Sequence, residues 1–140
     1  MAWFQLAGVA DRDFEDGGLD RLWRRWSPSW DYSSEQRELA LEALGSRARV
    51  SAALRYYRGA MRAAFLEAGE FRLILQPVSV PTLLIYGSND GCLGAELMER
   101  SRTDFGGEYE LLPVVGAGHF MHREQPSLVA ARALEFLDRK

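Results

Sequence analysis

The chain has 140 residues, 47% of them hydrophobic and 26% charged, the balance of a folded globular domain and not of a disordered or fibrous chain. Its net charge of −3 is the remainder of 17 basic and 20 acidic residues interspersed along the sequence. No stretch is therefore built to neutralise phosphates or anionic lipid, and nucleic acid is not an expected partner. The single Cys92 cannot close an internal disulfide, which fits a reducing, cytoplasmic setting.

No apolar run is long enough to span a bilayer, because Pro77, Pro81 and polar residues interrupt the stretch around Leu73 to Tyr86. The apolar start, Met1 to Ala10, lacks a basic flank and leads straight into Asp11, Asp13, Glu15 and Asp16. It reads as part of the fold and not as a signal peptide.

Two compositional regions meet near Glu70. From Leu19 to about Phe65 the periodicity is helical. Leu19, Leu22, Trp23 and Trp26 recur at helix spacing; Ser33 with Gln36 makes a capping box ahead of Leu39, Ala40, Ala43 and Leu44, and Gly45 ends that helix. A third helix gathers Val50, Ala53, Leu54, Tyr57, Met61, Ala64 and Phe65 on one stripe, with Arg49, Arg55, Arg58 and Arg62 largely outside it. Such helices predict a layer that packs on something else, and the irregular stretch from Glu67 to Ser79 predicts the seam.

From Val78 the pattern becomes strand, helix, strand, helix. Val80 to Tyr86 is a continuous apolar run, which predicts an interior parallel strand buried on both faces, with Pro81 tolerated at its start. Glu96 to Ser101 predicts a crossover helix. Tyr109 to Val115 predicts a second strand at a sheet edge, because Pro113 removes a ladder donor. Pro126 opens a last helix through Leu128, Ala130, Ala133, Leu134 and Leu137 to the basic end at Arg139 and Lys140. Two parallel strands do not make a stable sheet alone, so further strands are expected to come from outside this sequence.

The chemistry concentrates at the ends of these two strands. Asp90 follows the first within Gly87-Ser88-Asn89-Asp90, and His119 follows the second within Gly116-Ala117-Gly118-His119. Functional groups of open α/β sheets gather just beyond the carboxyl ends of strands. A carboxylate there can hold one imidazole nitrogen as a donor and leave the other as a base. Taken singly, an Asp in a turn is usually structural and a His usually incidental; the combination is rarer. No nucleophile turn accompanies the pair: Gly87-Ser88-Asn89-Asp90-Gly91 copies the frame, but Asn89 at its centre is not a competent nucleophile.

The strings VPTLLIYGSNDGCLG and YELLPVVGAGHFMHREQPSLVAARALEFL resemble the C-terminal part of the α/β-hydrolase fold, in which the acid follows the penultimate strand and the histidine the last. AWFQLAGVADRDF and LRYYRGAM resemble the cap region of epoxide hydrolases and their dehalogenase-like relatives. The resemblance implies a partial α/β-hydrolase fold, with a helical cap over residues 1–70 followed by two parallel strands with flanking helices over 71–140. It makes Asp90 the orienting acid and His119 the general base. Tyr57, followed by Arg58, matches the cap tyrosine that donates a hydrogen bond to the epoxide oxygen, although a core aromatic on an apolar stripe is the plainer reading of that residue. His122 is expected at the surface or pocket rim.

The nucleophile and oxyanion-hole donors are expected outside this chain. No metal or organic cofactor is implied; the expected partners are a small hydrophobic substrate and an N-terminal half, with self-association as another outcome of an open sheet. Dehalogenase, ester hydrolase and lactone hydrolase activities would use the same pair, and a noncatalytic remnant or binding lobe would carry it without chemistry.

Overall fold

The computed structural model describes residues 2–6, 8–66 and 76–139. After a 3-10 turn at Ala2–Gln5, the elements in chain order are α1 (Val9–Asp13), a wide π-type turn (Phe14–Gly18), α2 (Leu19–Trp26), α3 (Ser34–Leu44), α4 (Arg47–Leu66), β1 (Thr82–Gly87), α5 (Ala95–Arg100) with a 3-10 turn (Ser101–Asp104), β2 (Tyr109–Val114), α6 (Met121–Glu124) and α7 (Pro126–Leu137). They group into two units, one of Met1–Arg21 with Tyr32–Gln76, the other of Leu22–Asp31 with Pro77–Lys140. This division departs from a single cut near residue 70 because the segment 22–31 is built into the second unit.

The first unit is helical. Its capping box is formed as the sequence predicts: Gln36 N–H donates to Ser33 Oγ at 3.2 Å and Ser33 N–H to Gln36 Oε1 at 2.9 Å, which satisfies two of the amides that open α3. Gly45 ends that helix at φ 25°. Phe4, Ala10, Leu19, Val50 and Leu54 form the buried apolar core of this unit. On α4 the buried row is Val50 and Leu54 with half-buried Tyr57, spaced i, i+4, i+7, whereas Ala53, at the margin of that stripe, is exposed. The side chains of Met61, Ala64 and Phe65, and residues 67–75 of the expected seam, lie outside the described residues.

An ion pair between buried Asp11 and half-buried Arg58 closes the unit. Asp11 Oδ2 accepts the Gly8 N–H at 2.7 Å and an Arg58 guanidinium N–H at 2.9 Å, while Arg58 Nε donates to the Phe4 carbonyl at 2.8 Å. The Gly8 amide, followed by the Arg58 guanidinium, holds the Asp11 carboxyl down at a pKa of about 2. Arg58 thereby ties the N-terminal segment to α4.

The second unit is a parallel β-α-β element. β1 and β2 pair in register from Thr82 with Tyr109 to Gly87 with Val114, and α5 supplies the crossover. Pro113 stands opposite Tyr86 and is exposed, in keeping with an edge position. Arg132 and Arg139 of the C-terminal region each reach a different oxygen of Glu110 at 2.6 Å, fastening α7 to β2.

β1 departs from the expectation of a strand covered on both faces. Only Tyr86 and Gly87 are buried, and Thr82–Ile85 are intermediate. The physical reason is the lack of cover: among the described residues β2 is the only strand paired with β1, so one edge of each strand is open. No described helix is long and apolar enough to cross a membrane.

Candidate active site

β1 and β2 run parallel and in register, so their carboxyl ends lie side by side and the loops that follow them meet. The loop after β1 turns through Ser88 and Asn89 to Asp90. Ser88 N–H donates to the Val114 carbonyl at 3.0 Å, Asn89 N–H to the Ala117 carbonyl at 2.8 Å, and Gly116 N–H to Ser88 Oγ at 2.9 Å. The two loops are thus stitched backbone to backbone before either functional side chain is considered. Gly116, at φ 79°, takes the turn that a residue with a Cβ rarely adopts.

Asp90 and His119 meet at the join. His119 Nδ1 lies 2.9 Å from Asp90 Oδ2, and the other carboxylate oxygen, Oδ1, accepts the Cys92 and Leu93 amides at 2.7 and 2.9 Å. Both oxygens are committed, and the carboxylate is 7% exposed against 27% for the imidazole. A carboxylate can only accept, so the proton of the shared bond belongs on Nδ1 and the lone pair on Nε2. Burial on the acid side and access on the histidine side is the arrangement a relay to substrate or water requires.

The segment after α2 supports this pair and was not singled out from the sequence. The Trp26 carbonyl accepts both the Gly91 N–H at 3.1 Å, from the acid loop, and the His119 N–H at 3.0 Å, from the histidine loop. Buried Ser27 accepts the Phe120 N–H at 2.9 Å through Oγ, and the Glu124 carboxylate accepts the Gly118 N–H at 2.9 and 3.0 Å. The Trp26 ring stands edge-on to the His119 imidazole at 4.9 Å. Trp23, Trp30 and Phe120 continue an aromatic cluster, with Trp23–Trp30 centroids 4.7 Å apart and Trp30–Phe120 5.4 Å apart. The available signal was the Trp26-Ser27-Pro28-Ser29-Trp30 string, a turn flanked by two large aromatics directly after a helix.

Tyr57 lies in the first unit, where its ring packs on Phe4 at 5.0 Å and on Tyr56 at 5.8 Å and its carbonyl accepts Gln5 Nε2 at 3.3 Å. His122 is exposed on α6. Cys92 sits beside the pair, its thiol pushed up by burial and then by the Asp90 charge. Ligand atoms of Asp90, Cys92 and His119 lie within 4.8 Å of one another.

No family profile matches the sequence. The chain is 38% identical over 60 residues, 43% of its length, to epoxide hydrolase A of Mycobacterium tuberculosis (strain ATCC 25618 / H37Rv). It also aligns over 96% of its length, with a TM-score of 0.71 and 24% identity, to the crystal structure of a "putative epoxide hydrolase" from Klebsiella pneumoniae subsp. pneumoniae MGH 78578. The chain is epoxide hydrolase-like. Its architecture of helices and two parallel strands matches part of an α/β fold of that kind. It spans 48% of the Klebsiella chain, and the matched stretch is 19% of the Mycobacterium protein. In this epoxide hydrolase-like frame the joined loops after β1 and β2 carry the Asp90–His119 contact.

Proposed function

We propose that Asp90 and His119 are the acid and general base of an epoxide-opening α/β hydrolase whose nucleophile is supplied from outside this sequence. The single observation that carries the reading is the 2.9 Å Nδ1–Oδ2 contact, with the second Asp90 oxygen already saturated by two backbone amides. Similarity to epoxide hydrolase A supports the choice of substrate class over other uses of the pair.

The chemistry runs in two steps. A carboxylate nucleophile attacks an epoxide carbon, the carbon–oxygen bond of the strained ring breaks, and an ester forms with an alkoxide beside it. Tyr57 donates a hydrogen bond to that oxygen as it takes up charge; the tyrosine-arginine pair at 57 and 58 supports this role. In the second step His119 Nε2 takes a proton from water, and the resulting hydroxide attacks the ester carbonyl. As the ester breaks, the imidazolium, stabilised by Asp90 while it is charged, returns its proton to the alkoxide oxygen; the diol leaves and the carboxylate nucleophile is restored. The aromatic cluster around Trp26 and Phe120, next to His119, supports a hydrophobic substrate.

The test joins the chain to a segment bearing a strand–Gly-x-Asp-x-Gly–helix turn and mixes the assembled protein with an aromatic epoxide. Intact-mass spectrometry of His119→Gln is expected to show one covalent adduct of the epoxide's mass that the unsubstituted protein releases. Turnover in His119→Gln at the unsubstituted rate, with no adduct, would remove His119 from the chemistry.

A further inference from the structure

Cys92 is not used by the proposed reaction, yet it stands two residues after Asp90 on the loop that meets His119. The three side chains present a thiol, a carboxylate and an imidazole, and one ligand atom of each lies within 4.8 Å of the others. All three are partly buried. This is a donor set of mixed softness that zinc-type cations accept, and it differs from a cluster of exposed acids, which hard cations share loosely with water.

Geometry is close to what such an ion needs. Bonds of roughly 2.0 to 2.3 Å in a tetrahedron place ligand atoms about 3.5 Å apart, so the Asp90–His119 pair, at 2.9 Å, must open slightly and the Cys92 sulfur must settle at that spacing from both, within a cluster no wider than 4.8 Å. Rotation of the Cys92 side chain is the cheapest of these adjustments, because Asp90 is held by two amides and His119 by Trp26 and Asp90. Three protein ligands would leave the fourth position to water.

We propose that Asp90, Cys92 and His119 form a binding site for a zinc-type divalent cation. On binding, the Cys92 thiol gives up its proton to solvent and the cation takes electron pairs from sulfur, imidazole nitrogen and carboxylate oxygen. The Asp90–His119 hydrogen bond cannot persist unaltered while both groups ligate, so occupancy takes the pair out of its relay geometry. The site is an inhibitory one, and its existence does not depend on which reaction the pair serves.

The test uses the 140-residue chain and cobalt(II) as a spectroscopic stand-in for zinc. Titration of the unsubstituted chain is expected to give a near-ultraviolet thiolate-to-cobalt absorption that saturates at one equivalent and is displaced by zinc. Cys92→Ser should abolish the band, His119→Gln should weaken cobalt binding by roughly tenfold or more, and His122→Gln should leave both unchanged. Absence of the band in the unsubstituted chain would overturn the proposal. So would its survival in Cys92→Ser, its loss in His122→Gln, or full-strength binding in a folded His119→Gln. Should His119→Gln fail to fold, the unsubstituted chain and Cys92→Ser decide the question between them.

Discussion

Gly118 lies so close to Ser27 that a Cβ on residue 118 would stand 2.4 Å from the Ser27 Cα and 2.8 Å from its Cβ. Real side chains do not approach a backbone so closely, so this contact fixes the identity of the residue just before His119. Gly118→Ala is expected to displace the histidine loop and lower stability by about 1 to 3 kcal/mol or more through overpacking. Urea denaturation checks it; a midpoint equal to that of the unsubstituted chain would show that the loop gives way without cost.

Ser27 contributes through its hydroxyl as well. It is 1% exposed, and its Oγ is the acceptor for the Phe120 N–H. Ser27→Ala leaves that amide without the acceptor, at an expected cost of about 1 to 3 kcal/mol. A denaturation midpoint unchanged in Ser27→Ala would show that the Phe120 amide does not depend on this acceptor.

What the sequence disclosed depended on whether a signal was local. The capping box at Ser33 and Gln36, the opening of α7 at Pro126 and the two strand-end loops all rest on short-range rules, and each was legible. The Asp90–His119 approach was legible because parallel neighbouring strands must end side by side. The part played by Trp26 and Ser27 was not, since it depends on a carbonyl and a hydroxyl more than sixty residues away from the loops they hold. The apolar run at Val80 to Tyr86 reported how a strand is covered in a complete sheet. Burial of β1 depends on neighbouring strands, and among the described residues β2 is the one that pairs with it.

Acid should weaken the first unit. Asp11 is held at about 2 in the folded chain against an ordinary 3.8, so its ionised form favours folding. That contribution is fully present above pH 3.8 and is lost as pH falls from there through about 2. Urea midpoints measured between pH 5 and pH 2 should fall over this window, and Asp11→Asn should flatten that part of the curve while lowering stability at pH 7. An unchanged slope in Asp11→Asn would assign the acid sensitivity to other carboxylates.

The open edges of β1 and β2, with Val80, Val115, Leu134 and Leu137 each 60% exposed or more, are expected to make the isolated chain self-associate. Sedimentation velocity over a range of concentrations should show a mass that rises with concentration, and Leu134→Glu with Leu137→Glu should shift it toward the monomer. A single monomeric species at all concentrations would mean that these surfaces do not seek a partner.

The proposed role of the pair rests on Asp90 fixing which nitrogen of His119 carries the proton. Long-range proton–nitrogen correlation spectra of the chain labelled at histidine nitrogen report the tautomer of the neutral ring directly. The expected result is a proton on Nδ1 in the unsubstituted chain and loss of that preference in Asp90→Ala. A His119 ring protonated on Nε2 in the unsubstituted chain would contradict the assignment, because the nitrogen meant to receive the proton from water would already hold one.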